Sequence, residues 1–185
     1  ENVSSHLKSP AYRLVEGDIR DAEKLKSIFR SFPIKTVVHL AARAGVRPSL
    51  DQPLLYEDVN VRGTINILEA ARLRKLKRIV YVSTFGVYER GKINDSAVRE
   101  THPIGGHNLY ATTKVCSEHL VHAYASMYNL DTIIIRPGGV FGRGFYVGGS
   151  TVGMVMRDLA LNMIKGEPIT IDAKVYGPNE YVYGK

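Results

Sequence analysis

Apolar positions along the chain fall into two alternating patterns, short unbroken runs and stripes spaced three and four apart, as expected where strands exchange with helices. Tyr12-Arg-Leu-Val-Glu16 reads as a short strand ending at Gly17-Asp18. Asp21 then opens a helix whose Ala22, Leu25, Ile28 and Phe29 share one stripe. Thr36-Val-Val-His-Leu40 is a continuous apolar strand, and Asp51, with Pro53 in the first turn, starts a long helix through Val61, Ile65, Leu68 and Ala71. Arg78-Ile-Val-Tyr-Val82 is another buried strand. A helix beginning at Tyr110 turns Val115, Leu120, Val121, Tyr124 and Met127 or Tyr128 inward, and Thr132-Ile-Ile-Ile135 is a third strand of the buried type. Beyond the glycine-rich 138–149 segment, Met154 to Ile164 reads as a helix and Pro168-Ile-Thr-Ile171 as a strand.

Short buried strands alternating with helices predict an α/β fold, a doubly wound sheet of parallel strands, with no internal repeat or flexible linker. Ligands of such sheets collect at the carboxyl ends of the strands. That rule selects Gly17-Asp18-Ile19, Leu40-Ala41-Ala42, Ser83-Thr84 and Arg136-Pro137-Gly138-Gly139.

Composition narrows the classes. The 185 residues, 44% of them hydrophobic, suffice for one domain with a sizeable core. No apolar run approaches the ~18 residues of a membrane span, and residues 1–6 have neither part of a signal peptide, so no membrane association and a cytoplasmic location are expected. The net charge of +7 invites a nucleic-acid reading. Its densest cluster, Arg72, Arg74, Lys75, Lys77 and Arg78, sits at a predicted helix end, where cations suit the dipole, and no nucleic-acid-binding motif accompanies it. Cys116 is the single cysteine, which leaves no internal disulfide. His39 lies inside an apolar strand as a core residue, His102, His107, His119 and His122 show no ligand set, and no metal is expected.

Tyr110-Ala-Thr-Thr-Lys114 carries the candidate chemistry, because residues four apart share a helix face. A free phenol titrates near ~10, and a neighbouring ammonium favours the phenolate that a general base requires.

With this pair stand Gly17-Asp18-Ile19-Arg20-Asp21, His39 to Arg47, Asn60-Val61-Arg62-Gly63-Thr64, Val82 to Tyr88, and Arg136 to Gly142. In that order they resemble the extended short-chain dehydrogenase/reductase family, the NAD-dependent epimerases and dehydratases, over nearly the whole chain. The resemblance implies a Rossmann-like sheet and the cofactor NAD, with NADP not excluded. It implies that Tyr110 is the acid/base, that Lys114 lowers its pKa and holds the nicotinamide ribose, and that Thr84 hydrogen-bonds the reacting oxygen. Asp18 would accept from the adenine amino group and Ile19 would pack beside the ring. Leu40, Ala41 and Ala42 would line the cofactor, Asn60 would support that loop, and Ser83 and Pro137 would border the nicotinamide.

Ala44-Gly45-Val46-Arg47 resembles the substrate loop of nucleotide-sugar 4-epimerases, with Arg47 facing an anionic group, and Gly139 stands where many relatives place a substrate-binding Asn. Asn179 stands where a phosphate-binding Arg is common. Phe85-Gly86 replaces the Asp-Glu pair that dehydratases place after the catalytic Thr, which argues against elimination. The reaction implied is epimerisation of a nucleoside-diphosphate sugar by transient oxidation at C4. A dehydrogenase or reductase on a non-sugar substrate is the alternative, and a non-catalytic nucleotide-sensing protein a further one. Relatives pair through the 51–75 and 110–128 helices, so a homodimer is expected.

The family's glycine-rich dinucleotide fingerprint does not occur in these residues. They are therefore expected to be an incomplete stretch of a longer enzyme, with residues 1–143 a partial nucleotide-binding domain and 144–185 part of a substrate-side segment.

Overall fold

A computed structural model describes residues 3–88, 97–140 and 159–167. In order, the elements are α1 (Ala22–Ser31), β1 (Thr36–His39), α2 (Val46–Asp51), α3 (Pro53–Glu57), a π-helical turn (Asp58–Arg62), α4 (Gly63–Leu73), β2 (Arg78–Val82), a 3-10 turn (Phe85–Val87), α5 (Leu109–Tyr128) and β3 (Asp131–Ile135). The chain divides into two compact units, Glu1–Gly144 and Phe145–Lys185. In the second, residues 159–165 are helical, and the expected strand at 168–171 lies outside the described residues.

Strands β1, β2 and β3 form a parallel sheet in chain order, with Thr36 opposite Arg78 and Arg78 opposite Asp131. Each pair is joined by a helical crossover, so the parallel α/β architecture expected from the alternating pattern is present. Because all three strands run the same way, their carboxyl ends emerge on one edge and bring residues 40–45, 83–88 and 136–139 to the same side.

Helix α1 begins where Asp21 accepts the backbone N–H of Lys24 at 2.9 Å, a cap typically worth about 1 kcal/mol, and its stripe buries Leu25 and Phe29. Tyr12 to Glu16 is not a strand. Among the described residues the segment has no pairing partner, and Leu14 and Val15 remain exposed, because alternation alone makes no strand without a neighbour to take its backbone groups.

The expected helix from Asp51 also differs. Helical structure starts earlier, at Val46, breaks at Gln52, and resumes with Pro53 as the first residue of α3. Proline lacks the N–H that would continue α2, yet its fixed φ suits a new first turn. The π-helical turn that follows inserts a phase change before α4. It carries Asn60 into the interior, where that residue is 1% exposed.

The core lies on one face of the sheet, where Phe29, Leu68, Ala70, Ala71, Val121 and Leu130 pack against Ile79 and Tyr81 of β2. On the opposite face, the row Val38–Val80–Ile133 and the neighbouring Ile135 stay partly or well exposed among the described residues. Strands β1 and β3 are thus not fully buried as their unbroken apolar runs predict.

Helix α5 also differs from expectation. Val121 is buried and Val115, Leu120 and Tyr124 are half-buried, but Met127 and Tyr128 are exposed, and the side pressed most deeply inward carries Thr113, Lys114, Ser117 and Glu118. Buried polar groups persist only when hydrogen-bonded, and each of these side chains has a partner.

Candidate active site

Three strand ends and the first turns of α5 build the site. Asn108 starts α5 by accepting the N–H of Ala111 at 2.8 Å, which sets Tyr110 and Lys114 on the helix face turned to the end of β2. Lys114 is buried, and its Nζ donates to the carbonyl oxygen of Val82 at 2.8 Å while lying 4.8 Å from the centre of the Tyr81 ring. Burial pushes the ammonium down to about 8, against a smaller supporting effect of Glu118.

Two residues beyond Val82, Thr84 caps the start of the 3-10 turn by accepting the Gly86 N–H at 3.2 Å. Thr84 also lies close enough to Tyr110 to favour its phenolate. The structure therefore brings Thr84, Tyr110 and Lys114 together. Burial raises the Tyr110 pKa above the ordinary phenol value and Thr84 opposes the rise. The Lys114 ammonium is directed to Val82, and in this arrangement desolvation dominates the Tyr110 pKa.

Behind these groups runs a buried polar network centred on Asn60. Its side chain accepts the Arg43 N–H at 2.7 Å and donates to the Arg43 carbonyl at 3.1 Å and to Thr113 Oγ1 at 2.9 Å. Thr113 in turn donates to the Tyr110 carbonyl at 2.8 Å. The Asn60 carbonyl accepts the hydroxyls of Thr64 at 2.6 Å and Ser117 at 2.8 Å. Asn60 thus ties the loop after β1 to the first turn of α5, and the unfavourable helix propensity of Asn is outweighed by these bonds. His39 Nε2 meets Thr64 Oγ1 at 3.0 Å. Since the Thr64 proton is directed to Asn60, the imidazole donates, which fixes the Nε2–H tautomer. Burial, with Lys114 nearby, pushes His39 down to about 4 and keeps it a neutral core residue.

In the loop after β1, Leu40, Ala41 and Ala44 are exposed and Ala42 is half-buried. Gly45 has φ 102°, a conformation L side chains rarely adopt, and Val46 and Arg47 form the first turn of α2 rather than loop. Tyr56 was not singled out by sequence. Fully buried, it donates from its hydroxyl to the Ala44 carbonyl at 2.5 Å and stands edge-on to Tyr110 at 6.4 Å between ring centres.

Among the remaining residues singled out, Ser83 is buried at the end of β2 and Pro137 accepts the Phe85 N–H at 2.8 Å. Gly139 lies in an exposed bend. Asp18 does not cap α1. Its carboxylate receives the Arg20 backbone N–H at 2.8 Å and the guanidinium at 2.6 Å, and these hydrogen bonds hold it down at about 2. Ile19 lies against Gly63, where a Cβ would come within 2.5 Å of its Cδ1. No group of three or more metal-ligating side chains occurs among the described residues, and no described helix is long and apolar enough to cross a membrane.

The profile of the NAD dependent epimerase/dehydratase family matches residues 1–183. The chain belongs to that family. It is 36% identical over 137 residues, 73% of the chain and 41% of the relative, to a UDP-glucuronate 4-epimerase of Thermodesulfobacterium geofontis. Among solved structures it resembles the UDP-glucose 4-epimerase of Thermus thermophilus crystallised with NAD, with TM-score 0.74 and 32% identity over 84% of this chain and 49% of that one. It also resembles a dTDP-glucose 4,6-dehydratase of Streptomyces venezuelae, with TM-score 0.78 and 29% identity over 89% and 48%. The chain spans about half the length of these family members.

Proposed function

We propose that this chain forms the catalytic face of an NAD-dependent epimerase that inverts a nucleoside-diphosphate sugar at C4. The observation carrying the reading is the convergence of Thr84, Tyr110 and Lys114 at the end of β2, with Tyr110 hydroxyl chemistry adjacent to Thr84 and a buried cation one helical turn away.

The residues present fit the cofactor. Ser83 Oγ is buried without a hydrogen-bond partner among the described residues, a polar atom left for a ligand at the strand end. Leu40, Ala41, Ala42, Ser83, Pro137, Tyr110 and Lys114 would hold the coenzyme, Asp18 and Ile19 would flank its adenine, and Asn60 would act by supporting the loop. When bound, NAD supplies the reversible hydride acceptor.

Tyr110 takes the C4 hydroxyl proton as the carbon is oxidised and returns it after the sugar turns, while Thr84 aligns the oxygen. A phenol raised by burial is a reluctant base. The Lys114 ammonium, buried one helical turn along α5 from Tyr110, supplies the positive charge against which the phenolate forms. Ala44, Gly45, Val46 and Arg47, with Gly139, would border the sugar, and Arg47 suits an anionic substituent. Phe85 and Gly86 place no carboxylate directly after Thr84, which favours epimerisation over elimination. Pairing of two copies through α3–α4 and α5 accompanies this reading, and a monomeric solution mass would remove it.

The test is turnover of UDP-glucuronate by the full-length protein, followed by chromatographic separation of the 4-epimers and by NADH absorbance. The epimerase forms the second sugar without lasting NADH. Stoichiometric NADH accumulation would replace this reading with a net dehydrogenase.

A further inference from the structure

At the carboxyl edge of the sheet, Arg136 bridges α5, Tyr88 and the segment at Glu100. Its Nη2 donates to Glu118 Oε2 at 2.7 Å and its Nε to the two Glu118 oxygens at 3.1 and 3.2 Å, in a side-on fork. Glu118 is 0% exposed and lies one turn beyond Lys114 on the inward face of α5. The Nη1 atom donates to the Tyr88 hydroxyl at 3.0 Å and to the Glu100 carbonyl at 3.1 Å, and the guanidinium carbon lies 5.0 Å from the centre of the Tyr88 ring.

The backbone on either side of Arg136 holds the other half of the site. The Ile135 carbonyl accepts the Ser83 N–H at 2.8 Å, and the Pro137 carbonyl accepts the Phe85 N–H at 2.8 Å. The turn bearing Thr84 is therefore gripped at its start by the neighbours of Arg136 and at its far end by the Arg136 side chain through Tyr88. The same side chain is forked onto the helix bearing Tyr110 and Lys114.

We propose that Arg136 and the buried Glu118 form a positioning pair that sets the spacing of Thr84 from Tyr110 and Lys114. The proposal rests on the assignment of those three residues as the reacting set. Neither member of the pair touches the reacting atoms. A rigid, planar fork matters here because displacement of a reacting group by about 1 Å can cut a rate on the order of a hundredfold. Lysine at position 136 would keep the charge and lose the geometry.

The experiment compares the full-length wild type with Glu118→Gln, Arg136→Lys and the double variant Glu118→Leu/Arg136→Met. Each is followed by kcat, KM, bound NAD, thermal melting and NMR of the Thr84 methyl and Tyr110 ring. Glu118→Gln and Arg136→Lys are expected to lower kcat on the order of tenfold to a hundredfold, with KM and bound NAD little changed. The double variant replaces the half-buried Arg136 and the buried Glu118 together by apolar groups, leaving no unpaired buried charge, so its melting temperature should recover while kcat stays low. In every variant the Thr84 and Tyr110 signals should shift or broaden relative to wild type. Wild-type kcat in Glu118→Gln, or recovery of kcat together with melting in the double variant, would overturn the positioning role. Unmoved Thr84 and Tyr110 signals would overturn it even if the wild type lacked epimerase turnover, a result that by itself would count against the proposed reaction.

Discussion

Lys114 is bonded to Val82 across the boundary between helix and sheet, its Nζ 2.8 Å from the last carbonyl of β2. The bond sets an ammonium beneath the residues that follow, Ser83 and Thr84, and keeps it buried beside the Tyr81 ring. A charge in such a place is destabilising unless it is used, which makes Lys114 informative about both stability and chemistry.

Titration of Lys114 should be visible in folding. Its pKa falls from 10.5 to about 8 in the folded protein, so between those values the unfolded chain binds more protons and stability rises with pH. The contribution is about 3 kcal/mol in total. Urea unfolding of wild type and Lys114→Met at pH 8 and pH 10 should show the rise in wild type and its loss in the variant. An equal slope in both would show that the ammonium is not desolvated.

His39 acts in the opposite half of the pH range. Its folded value of about 4 lies below the ordinary 6.5, so the stability due to the neutral ring is present above 6.5 and is lost as acid protonates the unfolded chain and then the folded one. The loss between pH 6.5 and pH 4 is about 3 kcal/mol from this one group. His39→Gln, which keeps a donor for Thr64, should flatten that part of the acid-unfolding curve relative to wild type.

Tyr110→Phe removes the proton carrier and leaves the ring that stands edge-on to Tyr56. Turnover should fall by at least about two orders of magnitude, with the melting temperature close to wild type. Retained turnover would reassign the acid/base to another group.

Gly63→Ala tests the packing of the Asp18–Ile19 segment on α4. Alanine improves helix propensity by up to about 1 kcal/mol, but its Cβ would lie 2.5 Å from Ile19 Cδ1 and 2.7 Å from Cγ1. Overpacking of this kind costs about 1–3 kcal/mol, so the net effect should be destabilising. Ile19→Ala removes both clashing atoms, and the double variant should be more stable than the sum of the single changes implies. Simple additivity would show that Ile19 is free to move aside.

Much of the architecture is readable from local pattern. The runs at Thr36, Arg78 and Thr132, the Asp21 cap and the Tyr110 helix depend on neighbours in the sequence, and each appears where its residues predict. The spacing of Tyr110 and Lys114 likewise follows from helix geometry, and Thr84 follows from its place after a strand.

Other features exist only once distant segments meet. Tyr12 to Glu16 has strand-like residues but no paired neighbour among the described residues, and the burial of Asn60 depends on its bonds to the 41–45 loop and α5. Glu118 reads in the sequence as one more helix carboxylate, and only the arrival of Arg136 from the end of β3 makes its burial tolerable. The direction of the Tyr110 pKa was decided the same way. Spacing sets a cation one turn away, whereas the three-dimensional surroundings determine how much water remains and where that cation points, and desolvation scales with the surroundings.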